Sequence, residues 1–137
     1  MKQRHSFHRL FYHLVFSTKN REHLFVSSRD GDILSGYFRI KAKELDAYVE
    51  EFGHWREHVH MLLRSAPSLA LANLYGQFKG FSSYAWNRKY ADRPLVWQDG
   101  VFITTVDPDD NRALREYVAT QWSRHESRAI IESWEIP

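Results

Sequence analysis

The strongest constraint on the fold is the order in which strand-like and helix-like segments follow one another. Runs rich in β-branched, aliphatic and aromatic side chains predict four strands, two of them joined by a short polar turn as in a hairpin. These runs are residues 7–17, 47–55, 58–64 and 101–106. Amphipathic stretches predict two helices between them, one capped by Ser27 or Ser28 and one beginning at Pro67.

The resulting order, β α β β α β followed by one more helix, matches the ferredoxin-like split βαβ arrangement. It predicts an α+β sandwich with an antiparallel sheet, two helices on one face and the other face open for a site. The added C-terminal helix is predicted to have Asp107 as its N-cap and Pro108 as its first residue, and it carries Tyr117. No repeat, low-complexity tract or flexible linker divides the sequence, so we expect one domain over residues 1–137.

Composition excludes several classes of function. The chain contains no cysteine, which removes thiolate catalysis, cysteine zinc sites and disulfides. Its net charge of +2 is too small to predict nucleic-acid binding by itself. No segment reaches the roughly 20 apolar residues of a membrane span, and the N-terminus lacks the features of a signal peptide. We therefore expect a cytoplasmic protein without a membrane partner.

The most informative residues are His58 and His60. Alternate side chains of a strand share a face, so the two imidazoles are expected to project together about 7 Å apart, while Val59 faces the core. Such a pair can bind a divalent metal ion. Two histidines at this spacing are also common as surface residues or as hydrogen-bonding groups of a core, and the motif alone leaves both interpretations open.

Tyr117 and Gln121 lie four residues apart in the predicted last helix, so the phenol and the amide can reach one site. The alternative is the edge of an ordinary amphipathic helix. Together with the histidines, the amide oxygen would give a divalent cation three protein ligands and leave positions for a phosphate oxygen and water. A phenol beside that cation is a nucleophile for phosphorus, because positive charge favours the phenolate.

Several segments resemble the single-tyrosine HUH transposases, small enzymes of bacterial insertion sequences that cut and rejoin single-stranded DNA. The segment EHVHMLL and the spacing between Tyr117 and Gln121 carry the resemblance. Other segments are similar to the family's first strand and basic turn, its second helix and the entry to its last strand. These segments are YHLVFSTKNREHLF, KGFSS and VWQDG, and the similarity runs over residues 11–125.

The resemblance implies roles for four residues. Tyr117 would be the nucleophile, and His58, His60 and Gln121 would bind Mg²⁺ or Mn²⁺. It also implies a 5′-phosphotyrosine intermediate with a free 3′-OH, and single-stranded DNA with hairpin-containing ends as the substrate. The implied assembly is a homodimer whose active sites are completed across subunits.

Some positions bear on which branch of the family applies. Glu57 stands where the family commonly has aspartate, and Arg124 and His125 stand where it often has paired histidines. We expect these departures to leave the core chemistry untouched. Gln121, where the domesticated REP-associated tyrosine transposases typically carry asparagine, favours an enzyme of a mobile element.

Other functions stay open at this point. A non-catalytic module that binds single-stranded nucleic acid would use the same strand order, and a histidine-metal hydrolase would release its product to water. Basic and aromatic residues are interleaved near loops and helix ends, which suits a single strand as well as an ordinary solvated surface. These residues are Lys19, Arg21, Lys79, Arg88, Lys89 and Arg93, with Tyr84, Trp86 and Tyr90.

The remaining histidines are interpreted as structural. His54 is expected at an exposed turn, with a metal ligand or phosphate contact as its alternative. Four more are expected to be ordinary strand and loop residues: His5, His8, His13 and His23. The apolar stripe of the tail, Ile130, Ile131 and Trp134, can pack on its own chain or on a partner.

Overall fold

A computed structural model describes residues 7–136 of the chain. The strands are β1 Leu10–Ser17, β2 Tyr48–His54, β3 His58–Ser65 and β4 Phe102–Val106. The helices are α1 Ser28–Glu44, α2 Leu71–Lys89, α3 Arg112–Ala119 and α4 Gln121–Ser127, with short 3₁₀ turns at Lys19–Arg21 and Glu132–Trp134. Among the helices within residues 7–136, none is long and apolar enough to cross a membrane.

The four strands form one antiparallel sheet in the order β2-β3-β1-β4. This confirms the predicted α+β ferredoxin-like fold. Helices α1 and α2 pack on one face, where Phe38 and Phe78 stack with ring centroids 5.3 Å apart. Their apolar stripes meet the inward residues of the central strands, such as Leu14 and Met61, in the main hydrophobic core.

The prediction that the other face of the sheet stays open is wrong. Helix α3 lies over β2 and β3, and its Leu114 and Val118 form a second apolar cluster with Phe11 and Leu62 of the sheet. Trp134 packs against the same cluster, so the tail folds back on its own chain. Since alternate residues of a strand share a face, the side chains of β3 that point at α3 include both predicted site histidines.

Gly53 in β2 allows α3 to lie this close to the sheet. A Cβ atom at this position would be 1.7 Å from the carbonyl oxygen of Val118 and 3.2 Å from Cγ of Gln121. Glycine in a strand often marks such an approach of another backbone. The missing side chain therefore sets the distance between the helix that carries Tyr117 and the strand that carries the histidines.

Two helices begin later than predicted. Asp107 does not cap α3, because its Oδ1 accepts the backbone N–H groups of Asp109 at 2.8 Å and Asp110 at 3.2 Å. That arrangement builds a turn, and the helix starts at Arg112. Helix α2 starts at Leu71 rather than at Pro67.

The C-terminal helix is also divided in two. Thr120 separates α3 from α4, and its hydroxyl donates to the carbonyl of Glu116 at 2.6 Å. Gln121 is therefore the first residue of α4. Its side-chain amide still donates to the carbonyl of Tyr117 at 3.0 Å, so the two predicted site residues remain neighbours.

The segments KGFSS and VWQDG pack against each other. Lys79 Nζ donates to the carbonyl of Gln98 at 2.7 Å and to that of Gly100, and Trp97 Nε1 donates to Ser82 Oγ at 2.9 Å. These bonds attach α2 to the loop that leads into β4. Both segments therefore hold the fold together, and Lys79 is engaged with backbone carbonyls.

Candidate active site

Strand β3 presents His58 and His60 on one face, as predicted. Their ring centroids are 5.0 Å apart, and the residues are 2% and 0% exposed. Both lie beneath α3, α4 and the tail rather than on an open surface. The strand thus places both imidazoles in the interior of the protein.

Each site histidine has a partner on its outer nitrogen. His58 Nδ1 contacts the carboxylate of Glu57, which also lies 3.5 Å from Arg21 Nη1. His60 Nδ1 lies 2.9 Å from Nε2 of His13 on β1, and the two rings stack 5.1 Å apart. Since both Nδ1 atoms are engaged, both Nε2 atoms face the space under α3. The prediction that His13 is an ordinary strand histidine is wrong, and Glu57 contacts a site histidine directly.

Burial and neighbouring charges set the protonation of these rings. Burial, reinforced by His60, lowers the pKa of His13 to about 3. Burial also lowers the pKa of His60 to about 4, so this ring is neutral at neutral pH. Burial acts in the same direction on His58, but Glu135 and Glu57 outweigh it and raise the pKa to about 9. Neutral imidazole is the form that binds metal, and His60 holds it without competition from a proton.

Glu135 enters the site from the tail and is missed by the sequence analysis. Its Oε1 lies 3.1 Å from His58 Nε2 and 3.2 Å from His60 Nε2, and its Oε2 accepts the hydroxyl of Tyr117. The chain reverses after α4 through Arg128, whose φ of 60° is left-handed. The sequence gives little sign that Glu135 belongs to the site, because this residue reaches the histidines only after the chain reverses at Arg128.

Tyr117 and Gln121 reach the histidine pair of their own chain. Tyr117 is fully buried, its ring centroid lies 5.7 Å from that of His60, and its hydroxyl accepts the backbone N–H of Ile131 at 3.2 Å. Burial, and then the bond to Glu135, raise the pKa of Tyr117 to about 12, so the phenol is neutral at neutral pH. The phenol therefore needs a positive charge or a base nearby before it can act as a nucleophile.

His125, which stands where the resembled family often has one of two paired histidines, also lies at the site. Its Nε2 donates to Oε1 of Gln121 at 3.0 Å and lies 3.6 Å from Oε2 of Glu135. Its ring stacks on Trp55 with centroids 5.2 Å apart. His125 thus holds the amide of Gln121 in one orientation.

The donor set fits a divalent cation. One ligand atom from each of His58, His60, His125 and Glu135 can be chosen so that all lie within 4.8 Å of one another. His58 Nε2 is buried and has no hydrogen-bond partner among residues 7–136, because the nearby Oε1 lies outside hydrogen-bond geometry. A buried polar atom without a partner calls for an explanation, and a bound cation would supply one here.

His54 lies near the site but serves the fold. It is 7% exposed, and its Nε2 lies 3.0 Å from the carbonyl of Ser27, at the start of α1. A Cβ on Gly31 would lie 2.2 Å from its ring, so the histidine packs directly on that helix. The prediction of an exposed turn residue is wrong. Of the N-terminal histidines, His5 lies outside the described residues.

The predicted basic and aromatic surface is only partly available to nucleic acid. Trp86 is fully buried, and Arg93 lies 3.4 Å from the carboxylate of Asp30. Lys19 and Arg21 are exposed in the 3₁₀ turn after β1, next to Glu57 and the histidine pair. These two cations are the best placed to meet phosphates near the site.

Replacing His13 by phenylalanine is expected to weaken Mn²⁺ binding about 10–100-fold, the usual cost of losing the group that orients a ligating histidine. The ring stacking survives, but His60 Nδ1 loses its partner. Titration calorimetry measures the change, and the exposed His8→Phe is the matched control. An unchanged affinity in a folded His13→Phe protein contradicts the prediction.

Comparison with known proteins points to a single family. Residues 6–121 match the family described as "Transposase IS200 like". The structure is similar to that of a candidate transposase from Deinococcus radiodurans R1, with a TM-score of 0.71 and 21% identity over 89% of this chain and 98% of that chain. It is also similar to a REP-associated tyrosine transposase bound to a REP hairpin, with a TM-score of 0.62 and 13% identity over 91% and 74% of the two chains. No curated protein matches.

Proposed function

Because the chain belongs to the IS200-like transposase family, we propose that this transposase cleaves and rejoins single-stranded DNA with Tyr117 as its covalent nucleophile. One observation carries the proposal. The Tyr117 hydroxyl and the Nε2 atoms of His58 and His60 converge on the same carboxylate, that of Glu135, in the interior of the protein. The whole chain, residues 1–137, would act as one domain.

We propose that His58, His60 and Gln121 hold Mg²⁺ or Mn²⁺. A bound divalent cation would stabilise the negative charge that develops on a phosphate during displacement. Glu57 and His13 keep the two imidazole rings turned with Nε2 inward, and His125 holds the Gln121 amide. The protein thus prepares the ligands before the substrate arrives, which avoids reorganisation during the reaction.

The proposed reaction exchanges one phosphoester bond for another. The Tyr117 oxygen forms a bond to phosphorus and loses its proton, while the bond between phosphorus and the 3′ oxygen breaks in line. The departing oxygen takes up a proton and becomes a free 3′-OH, and the downstream DNA stays attached as a 5′-phosphotyrosine. The 3′-OH of a second strand then attacks this ester, so bond energy is conserved and no nucleotide is consumed.

We propose single-stranded DNA with hairpin-containing ends as the substrate, in the cytoplasm. The family and the hairpin bound to one structural neighbour support this choice. Because His60 and Tyr117 are fully buried, DNA reaches them only when the tail or the tyrosine helix moves. That requirement suits the proposed homodimer with sites completed across subunits, in which the helix can leave its own histidine pair for that of the partner.

An end-labelling experiment tests the proposal. A single-stranded oligonucleotide with hairpins is incubated with protein and Mn²⁺, then separated under denaturing conditions. A 3′ label is expected to migrate with the protein and a 5′ label with a free fragment ending in 3′-OH, and both products vanish in His58→Ala and His60→Ala. Free 5′-phosphate without an adduct would favour the hydrolase, and binding without cleavage would favour the non-catalytic module.

A further inference from the structure

We propose that Glu135 is a ligand of the same metal ion through Oε1, and that its Oε2 holds the Tyr117 hydroxyl beside that ion. The inference rests on the proposed function, which supplies the histidine ligands and the nucleophile. It adds to the site a carboxylate that the sequence analysis does not identify. One side chain would then set the distance between the cation and the attacking oxygen.

The spacing of the three atoms fits coordination. Two ligands at a right angle around a cation, with bonds of about 2.1 Å, lie about 3.0 Å apart. Glu135 Oε1 is 3.1 Å from His58 Nε2 and 3.2 Å from His60 Nε2. Both distances match this spacing, and one ligand atom from each of the three residues lies within 4.8 Å of the others.

Hydrogen bonding alone does not account for this cluster. His60 Nε2 meets Oε1 in hydrogen-bond geometry, but His58 Nε2 does not and has no other partner among the described residues. A cation between them would displace the proton of His58 and use the lone pairs of all three atoms at once. Two histidines and one carboxylate would also leave ligand positions for a Gln121 oxygen, a phosphate oxygen and water.

The second oxygen of Glu135 orients the nucleophile. The Tyr117 hydroxyl accepts the backbone N–H of Ile131 at 3.2 Å and donates to Oε2. With the acceptor side of the hydroxyl occupied, its proton is directed towards Glu135. The carboxylate therefore bridges the metal ligands and the phenol, a geometry that neither Gln121 nor His125 provides.

Mn²⁺ binding in the absence of DNA tests the proposal. The full-length protein, Glu135→Gln and Glu135→Ala are titrated with Mn²⁺ and followed by electron paramagnetic resonance. Both variants are expected to raise the Kd at least about tenfold, because loss of a ligand costs no less than loss of the group that orients one. Glu132→Gln, an exposed glutamate of the same tail, is the matched control and should bind as the wild type does.

The outcomes separate this proposal from the previous one. Mn²⁺ affinity that is unchanged or increased in folded Glu135→Gln overturns the ligand role, and tighter DNA binding in that variant would show that the carboxylate occupies the phosphate position. Circular dichroism checks that each variant is folded. If Glu135→Ala does not fold, the affinity of the near-isosteric Glu135→Gln protein decides whether Glu135 is a ligand. A wild-type protein that binds Mn²⁺ through Glu135 but forms no DNA adduct would refute only the proposed function.

Discussion

The Tyr117→Phe protein is expected to form no covalent adduct with single-stranded DNA and to lose strand cleavage by about 10⁴-fold or more, the order expected when an enzyme loses its nucleophile. The substitution removes one oxygen and keeps the ring. The centroid of that ring lies 5.2 Å from the centroid of the Trp134 ring and 5.0 Å from Cζ of Arg124. Phenylalanine keeps both contacts, so packing of the tail and α4 is retained. We expect Mn²⁺ binding to persist, because none of the proposed metal ligands is altered.

Denaturing electrophoresis of 3′-labelled DNA measures this loss, with Tyr48→Phe as the matched control. Tyr48 lies on edge strand β2, is 53% exposed and stacks with Arg64, far from the chemistry. Tyr48→Phe should keep the full yield of adduct. An adduct that survives in Tyr117→Phe assigns the nucleophile to another residue and removes the centre of the proposed mechanism.

Gly53→Ala is expected to damage both stability and activity. The new methyl group would lie 1.7 Å from the Val118 carbonyl oxygen, a backbone atom that moves only if α3 moves. We expect the free energy of unfolding to fall by about 3 kcal/mol, at the upper end for overpacking. Any protein that folds should hold Tyr117 out of line with the histidine pair, and a misplacement of about 1 Å costs about 100-fold in rate.

Chemical denaturation and the adduct assay measure these two effects, and Gly36→Ala is the matched control. A Cβ at Gly36 in α1 has no neighbour within 4 Å, so this variant should gain about 0.5–1 kcal/mol from the better helix propensity of alanine. Equal stability of Gly53→Ala and the wild type would show that α3 does not need this close approach.

The parts of the site that depend on local geometry are predictable from the sequence. Alternation along a strand places His58 and His60 on one face, and the four-residue spacing keeps Tyr117 beside Gln121 even though Thr120 interrupts the helix. The strand order follows from segment order. Each of these inferences needs only residues close together in the chain.

The contacts made between distant segments are not predictable in this way. His13 and His60 are 47 residues apart, and Glu135 meets His60 across 75 residues. The covering of the second face of the sheet is indicated by the sequence, however. Strand β1 is apolar on both sides, and such a strand is stable only when other elements pack on both faces of the sheet. The late start of α3 has no such signal, since an aspartate followed by proline suits a turn as well as a helix cap.

The pairing of His13 with His60 would make a residue outside the proposed coordination sphere sensitive to metal binding. Both rings are neutral, so each carries one hydrogen on one of its two nitrogens. While His60 donates from Nε2 to Glu135, its Nδ1 accepts from His13 Nε2. A cation on His60 Nε2 would force both rings into the opposite tautomer and move the hydrogen of His13 to Nδ1. The ring ¹⁵N chemical shifts of His13 would thus report whether the transposase has bound a metal ion.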